Sequence, residues 1–123
     1  MNYSYNLNSE NKTITVITTG NYNARELETI EFQIRRKAND LKYKIIFDYR
    51  MSKISISITD FYYWFSNKYD STNLRLKLIQ SAYLVNDNDW DAYTFFECTS
   101  ANNSIPVKVF LEENAANDWL KIN

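Results

Sequence analysis

The sequence has no histidine and only one glycine, one proline and one cysteine in its 123 residues. Without histidine, Ser–His and Cys–His nucleophilic arrangements and histidine metal sites are excluded. A single glycine cannot build the glycine-rich loops that cradle phosphates, so P-loop and dinucleotide-binding fingerprints are excluded too. The lone Cys98 can form no internal disulfide, which favours a reducing, cytoplasmic location.

The charge balance and the lack of long apolar runs limit the classes of partner that we expect. A net charge of -1 argues against nucleic acid, because phosphate binding needs clustered lysine and arginine. The basic cluster of Arg35, Arg36 and Lys37 is interpreted as the solvated face of a helix. No run approaches the roughly 20 apolar residues of a membrane helix, and the first twelve residues lack the pattern of a signal peptide. We therefore expect a single soluble domain over residues 1–123, with 45% hydrophobic residues to form its core.

The first half of the chain predicts a hairpin, a helix and a central strand. Alternation at Tyr3, Tyr5 and Leu7, and again at Ile14 and Val16, predicts two strands that each have one buried face. Asparagine is expected to supply left-handed turns, and Gly20 to turn the chain after the second strand. A capping box at Asn23 and Glu26 predicts the start of a helix, and an apolar stripe predicts its course from residue 24 to 41. The stripe consists of Ala24, Leu27, Ile30, Ile34, Ala38 and Leu41. The apolar residues 44–49 predict a strand covered on both faces.

The second half predicts two more strands and three helices. Residues 51–58 are interpreted as an extended connection, with Ser57 and Asp60 capping an aromatic helix over residues 58–69. Leu74, Leu76 and Leu78 alternate and lead into a strand over residues 79–85. A helix over residues 88–100, a strand opened by Pro106 and a helix from residue 113 or 114 complete the chain. The order β-β-α-β-α-β-α-β-α predicts an α/β layered domain with a mixed, mostly parallel sheet covered by helices.

This order, together with IIFDYR at residues 45–50 and FFECTSANNSIPVKVFLEENAANDWL at residues 95–120, resembles the STAS-like (SpoIIAA-like) domains of small bacterial proteins. The resemblance covers nearly the whole chain and is most specific at Phe96 and Glu97, at residues 107–110, and at Trp119 and Leu120. It implies a SpoIIAA-like fold and a role in regulation or protein interaction.

The best-known members of that group carry an Asp-Ser-Ser-Gly motif whose second hydroxyl is phosphorylated at the start of a helix. Counted without gaps from Asp48, the motif positions fall on Ile56, Ser57, Ile58 and Thr59. The aspartate and the glycine are missing, and isoleucine occupies the phosphorylated position. Ser57 and Thr59 flank it and are the phosphorylation candidates, although a helix cap and a first-turn residue need no functional explanation.

The acidic residues and the cysteine suggest no catalytic or metal site. Asp87, Asp89 and Asp91 follow a strand at the edge where ligands bind in α/β sheets, but helix capping explains them better than a metal. Asp48 ends the central strand at the same edge, where a hydrogen bond to loop amides is favoured over a substrate contact. Cys98 is expected to be a small buried helix residue. We predict no cofactor, no metal and no enzymatic activity.

The aromatic helix is the main lead to function. Phe61, Tyr62, Tyr63, Trp64 and Phe65 surround a helix and cannot all be buried, so Tyr62, Tyr63 and Tyr69 are expected to be partly exposed. Surface tyrosines are common, but aromatic residues are also enriched in interfaces. We therefore predict a non-catalytic interaction or regulatory module that binds a protein partner or forms a homodimer. The alternative is a small apolar-ligand binding protein with a pocket between helices 58–69 and 88–100.

Overall fold

A computed structural model describes residues 2–57, 59–60 and 75–121 of the chain. The described part follows the predicted order, with one added strand. The strands are β1 (Asn2–Asn8), β2 (Thr13–Asn23), β3 (Lys44–Asp48), β4 (Ser52–Ser55), β5 (Ser81–Leu84) and β6 (Val107–Phe110), and the helices are α1 (Ala24–Leu41), α2 (Trp90–Asn102) and α3 (Glu113–Leu120). A 3-10 turn, Asp87–Asp89, leads into α2.

The strands form one mixed sheet in the order β1-β2-β3-β5-β6, with β4 also paired to β2. Only β1 and β2 are antiparallel, and the remaining pairs are parallel. The predicted mixed, mostly parallel sheet is therefore confirmed. Because parallel strands share a direction, the segments that follow β3, β5 and β6 meet at one edge of the sheet.

Helices cover both faces of the central strands. Ile45 and Phe47 of β3 pack with α1 and α2 on one face, whereas Ile46 packs with Ala116 and Leu120 of α3 on the other. This explains why β3 is apolar almost throughout, as the sequence predicted. No helix of the described residues is long and apolar enough to cross a membrane.

The N-terminus of α1 matches the prediction, but the basic cluster near its C-terminus does not. The Asn23 side chain accepts a hydrogen bond from the Glu26 amide, and the Glu26 side chain accepts one from the Asn23 amide. The expected solvated face is wrong for Arg35, which is buried with 3% of its surface exposed. The last turn of α1 holds no basic residue, so the cluster lies too early to neutralise the helix dipole.

The prediction that asparagine supplies the left-handed turns is wrong. The described non-glycine residues with positive φ are Lys12, Lys42, Ser104 and Lys121, so asparagine does not supply these left-handed turns. Asparagine accepts backbone hydrogen bonds instead, as Asn8 does from the amides of Glu10 and Asn11. This use of the side chain follows from its reach to amides two or three residues ahead.

The strand expected over residues 79–85 is shorter and begins later. Arg75, Leu76 and Lys77 are helical, so the leucine alternation before β5 does not mark a strand. Leu76 is buried and Leu78 is exposed, whereas residues two apart in a strand would lie on the same face. Leu74 lies outside the described residues.

Gly20 lies within β2 and not after it. Its φ of +99° occurs at the first residue of β2 that pairs with β4, and Thr18 and Thr19 separate it from the part that pairs with β3. A side chain is disfavoured at this φ, whereas glycine adopts it freely. The one glycine thus lets a single strand serve two successive partners.

We expect Gly20→Ala to lower the free energy of unfolding by about 1–3 kcal/mol, through backbone strain alone. A Cβ atom at this position would meet no atom within 4 Å, so steric clash contributes nothing. Urea denaturation measures the change, with the exposed neighbour Asn21→Ala as the control. Equal stability of the two variants would contradict this role for Gly20.

Candidate functional site

One extra residue interrupts the strand that runs beside β2. The register between β2 and β3 pairs Ile17 with Asp48, whereas the register between β2 and β4 pairs Gly20 with Ser52. Two residues of β2 thus oppose three residues, Tyr49, Arg50 and Met51, which is the arrangement of a β-bulge. The predicted extended connection over residues 51–58 is therefore wrong for Ser52–Ser55, which continues the strand after the bulge.

The bulge directs its three side chains differently. The Tyr49 side chain is fully buried, whereas Met51 is 72% exposed, the highest value among the described large hydrophobic residues. Arg50 lies between these extremes, with 36% of its side chain exposed. A bulge re-aims side chains at the edge of a sheet, and here it directs Arg50 and Met51 away from the core.

Asp48 fixes the bulge. Its Oδ1 accepts hydrogen bonds from the Arg50 amide (3.1 Å) and from Arg50 Nε (3.0 Å), and its Oδ2 accepts one from Nη2 (2.8 Å). The bond to the loop amide matches the favoured interpretation of Asp48. The hydrogen bond with Asp48 raises the pKa of Arg50, and Glu113 adds a further electrostatic contribution. Both carboxylate oxygens are engaged within the protein, an arrangement typical of a structural acid.

Asn86 connects the bulge to the loop after β5. Its Nδ2 donates to the carbonyl oxygens of Ser52 (3.3 Å) and Arg50 (3.5 Å), and its Oδ1 accepts from the Asp89 amide (3.2 Å). Ser52 is held from the other side by a 2.5 Å hydrogen bond between its hydroxyl and that of Thr18. The bulge is thus fastened to β2 and to the loop before α2.

A half-open cleft of about 550 Å³ lies between β4 and this loop. It is lined by Ser52, Lys53, Ile54, Asn86, Asn88 and Asp89. Burial raises the pKa of Asp89, opposed by its hydrogen bond with Asn86. We call the bulge residues Arg50 and Met51, together with this cleft, the rim site.

A buried polar network lies beneath the rim site, and the sequence analysis missed it. The Glu31 carboxylate accepts hydrogen bonds from the hydroxyls of Tyr49 (2.9 Å) and Tyr83 (2.5 Å). Arg35 donates to the Tyr83 hydroxyl (2.9 Å) and to the Leu76 carbonyl (3.1 Å), and its Nη2 lies 3.9 Å from Glu31. Glutamate and arginine four residues apart form a common surface pair on helices, so their sequence spacing alone gave no sign of burial.

Burial dominates the electrostatics of this network. It raises the pKa of Glu31, while the charge of Arg35 opposes the shift. Burial also raises the pKa values of Tyr49, Tyr83 and Tyr93 well above their usual range, and the negative charge of Glu31 adds to the effect. The hydroxyls therefore keep their protons, and those of Tyr49 and Tyr83 donate hydrogen bonds to Glu31. The network anchors Tyr49, the inward-facing residue of the bulge.

The predicted site residues have mixed outcomes. Tyr62, Tyr63 and Tyr69 lie outside the described residues, as does nearly all of the aromatic helix over residues 58–69. Ser57 and Thr59 are exposed. The Ser57 hydroxyl accepts from the Asp60 amide and the Asp60 carboxylate from the Ser57 amide, so the predicted cap is confirmed.

Two further residue-level predictions need correction. Cys98 is exposed and not buried, because Tyr93, Phe96 and Ser100 form the buried side of α2. Asn86 caps the 3-10 turn before α2 with its side chain, whereas Asp89 makes no side-chain cap at the start of α2. In the described part of the chain, no three acidic or cysteine residues are grouped as a metal site would require.

Comparison with solved structures identifies the fold. One neighbour is the anti-sigma factor antagonist SpoIIAA in its unphosphorylated form, with a TM-score of 0.56 and 10% identity over 98% of both chains. Another is an uncharacterized protein of the DUF3478 family with a SpoIIAA-like fold from Shewanella loihica, with a TM-score of 0.50 and 15% identity. The match covers 97% of this chain and 92% of the DUF3478 protein. No protein-family model and no curated protein matches the chain.

The chain therefore has a SpoIIAA-like fold, as its resemblance to the STAS-like domains implied. At 10% and 15% identity these neighbours establish the fold alone. Function has to be argued from the rim site and its chemistry.

We expect Arg35→Met to cost about 3–5 kcal/mol of unfolding free energy, because it leaves the buried Glu31 carboxylate without its cation. Urea denaturation measures the loss, with the exposed neighbour Arg36→Met as the control. The double variant Glu31→Gln, Arg35→Met should recover part of the stability, since it removes the uncompensated charge. A single variant as stable as the Arg36→Met control would contradict the importance of the network.

The lowered pKa of Lys77 predicts that the stability of the protein rises with pH. Burial and, secondarily, repulsion from Arg35 lower its pKa from 10.5 to about 7. Between pH 7 and 10.5 the unfolded state therefore binds more protons than the folded state, so stability rises with pH. Since the tyrosines reverse this trend near pH 10, urea midpoints are compared from pH 7 to pH 9. The rise should disappear in Lys77→Met and persist in the exposed control Lys53→Met, and an unchanged slope in Lys77→Met would contradict the assignment.

Proposed function

We propose that this protein is a non-catalytic interaction module of the STAS type that binds a protein partner through the rim site. The observation that carries the proposal is the outward presentation of Met51, which is 72% exposed on a bulge fixed by Asp48 and Asn86. An exposed apolar side chain on a fixed backbone is suited to binding because its burial removes apolar surface from water and the backbone loses little further entropy on association.

The residue types at the rim site support a protein partner. Methionine and arginine are both enriched in protein interfaces, and Arg50 and Met51 are adjacent. The Arg50 guanidinium is already oriented by Asp48, so a partner need not order it. The same bonds engage Asp48 fully, which argues against its use as a general acid or base.

The name of one structural neighbour supports this class of function. SpoIIAA is named as an antagonist of an anti-sigma factor, that is, by its effect on another protein. Domains with this fold are usually non-catalytic, and the chain has no histidine for nucleophilic catalysis. This support is an analogy of fold, and the rim site provides the specific argument.

The other predicted features remain predictions beside this proposal. Tyr62, Tyr63 and Tyr69 would extend the interaction surface, and Ser57 and Thr59 would be accessible to a kinase. A cytoplasmic location agrees with the single cysteine. The apolar-ligand alternative placed its pocket against the helix over residues 58–69, nearly all of which lies outside the described residues, so it stays a prediction with no observation in its favour.

Affinity capture from the native cells, followed by quantitative mass spectrometry, tests the proposal. We expect Met51→Glu to reduce recovery of a specific partner at least about tenfold, equivalent to ~1.4 kcal/mol, by placing a charge in the interface. Leu78→Glu is the matched control, because Leu78 is 48% exposed and precedes β5 at the opposite edge of the sheet. A third variant, Tyr62→Ala with Tyr63→Ala, tests whether the aromatic segment contributes.

The proposal would be overturned by a partner that both glutamate variants retain as well as the wild type. It would equally be overturned if no protein were recovered above a denatured control. Circular dichroism of each variant confirms that a lost partner reflects the surface and not unfolding.

A further inference from the structure

The outer edge of β1 is open and unusually uniform. All seven residues of β1 pair with residues 13–19 of β2 without a break, and no described strand pairs with the other side of β1. β1 spans about 23 Å at the usual rise of a strand. Its backbone therefore offers a long row of hydrogen-bonding groups to another strand.

β1 lacks the features that normally protect an edge strand. Proteins block such edges with lysine, proline, bulges or very short strands. The sequence NYSYNLN contains no charged residue and no proline, and its unbroken register leaves no bulge. The edge is thus chemically suited to pairing with another strand.

The side chains beside this edge are apolar and exposed. The strand prediction expected Tyr5 and Leu7 to lie on a buried face, but they are 42% and 48% exposed. Tyr3 donates a hydrogen bond to Gln33 on α1, and Lys37 lies 5.5 Å from the centre of the Tyr5 ring.

The same register continues along α1. Two residues of β1 span nearly the same length as four residues of α1. The pair that follows Tyr5 and Lys37 is therefore Leu7 and Leu41. Leu41 is also exposed. Tyr5, Leu7 and Leu41 therefore give the open edge an apolar border.

We propose that a second copy of this chain pairs with this edge, β1 against β1 in antiparallel orientation, about a twofold axis through Tyr5. In an antiparallel pair, residues directly opposite each other have their side chains on the same face of the sheet. The numbers of two opposite β1 residues must therefore be both odd or both even. The twofold axis then passes through a residue and not between two residues. Full overlap of the seven residues centres the pair on Tyr5. This register places Tyr3 opposite Leu7 and Ser4 opposite Asn6.

Self-complementarity is the reason for choosing a second copy. A twofold interface brings each residue type to its own symmetry mate or to one other residue of the same patch. Apolar residues meet apolar ones on the α1 face, and polar residues meet on the other face. No charged residue occurs in β1, so no like charges are brought opposite each other within the strand pair.

Lys37 lies against the Tyr5 ring at the proposed axis, and its charge makes the association sensitive to salt. The two Lys37 ammonium groups approach each other across the Tyr5 pair, so screening by salt should strengthen the dimer. An interface held by surface ion pairs between the copies would instead weaken as the salt concentration rises. The direction of the salt effect thus distinguishes this interface from a charge-driven one.

This interface is separate from the rim site. β1 is the lateral edge of the sheet, whereas the rim site lies where the parallel strands end. Loss of the dimer would leave the proposed partner binding at Met51 intact, and loss of that binding would leave the dimer intact.

Sedimentation velocity over a concentration series into the high micromolar range tests the association. We expect a monomer–dimer equilibrium in the wild type that tightens with salt. Tyr5→Lys should raise the dissociation constant at least about tenfold, because two ammonium groups then meet on the axis. Leu78→Lys, an equally exposed leucine at another edge, should leave it unchanged.

Cysteine cross-linking tests the register. In a Cys98→Ser background, an equimolar mixture of Ser4→Cys and Asn6→Cys should form a mixed disulfide faster than either variant forms its own. The reason is that opposite Cβ atoms lie about 4.5–5.5 Å apart, near the separation a disulfide needs. Tyr5→Cys should cross-link to itself, and Leu78→Cys should not.

A wild type that stays monomeric throughout the concentration series would overturn the proposal. So would a dimer that Tyr5→Lys does not weaken, since that dimer would use another surface. Equal cross-linking in the mixture and in the single variants would overturn the register, and with it the twofold axis through Tyr5.

Discussion

The buried carboxylate of Glu31 constrains the arrangement of the elements around it. It accepts hydrogen bonds from Tyr49, which follows β3, and from Tyr83 of β5, while Arg35 on the same helix reaches the Leu76 carbonyl. A charge in an apolar core is costly unless every partner is in place. The network therefore fixes α1 against two central strands and against the segment that enters β5.

The bulge depends on the same network. Tyr49 is drawn into the core by its bond to Glu31, and the one-residue excess relative to β2 is taken up by Arg50 and Met51. Asp48 and Asn86 then hold the backbone of the bulge from both sides. The exposed rim site is thus positioned by a buried interaction, which links core packing to the surface proposed for partner binding.

The two candidate surfaces rest on different physical grounds. At the rim site, hydrogen bonds orient the Arg50 side chain and hold the backbone on either side of Met51 before any partner arrives, so little backbone entropy is lost on binding there. β1 has backbone groups that no described strand pairs with, and it carries no charged residue that would keep another strand away. The sheet thus offers two separate candidate surfaces. The rim site lies where the parallel strands end and is held by hydrogen bonds, whereas β1 is an unprotected lateral edge.

The sequence by itself determined the local structure that follows from periodicity and capping. It predicted α1 with its Asn23–Glu26 box, the doubly covered β3, the cap at Ser57 and the mixed sheet, because these patterns depend on residues a few positions apart. The resemblance to SpoIIAA-like domains followed from the element order together with the residue patterns at 45–50 and 95–120. Only the tertiary structure decided that Arg35 is buried, that β4 continues the central strand and that Tyr5 and Leu7 are exposed. Each of these depends on residues far apart in the chain, such as Glu31 and Tyr83 at a separation of 52 residues, and no local pattern records which distant side chains will meet.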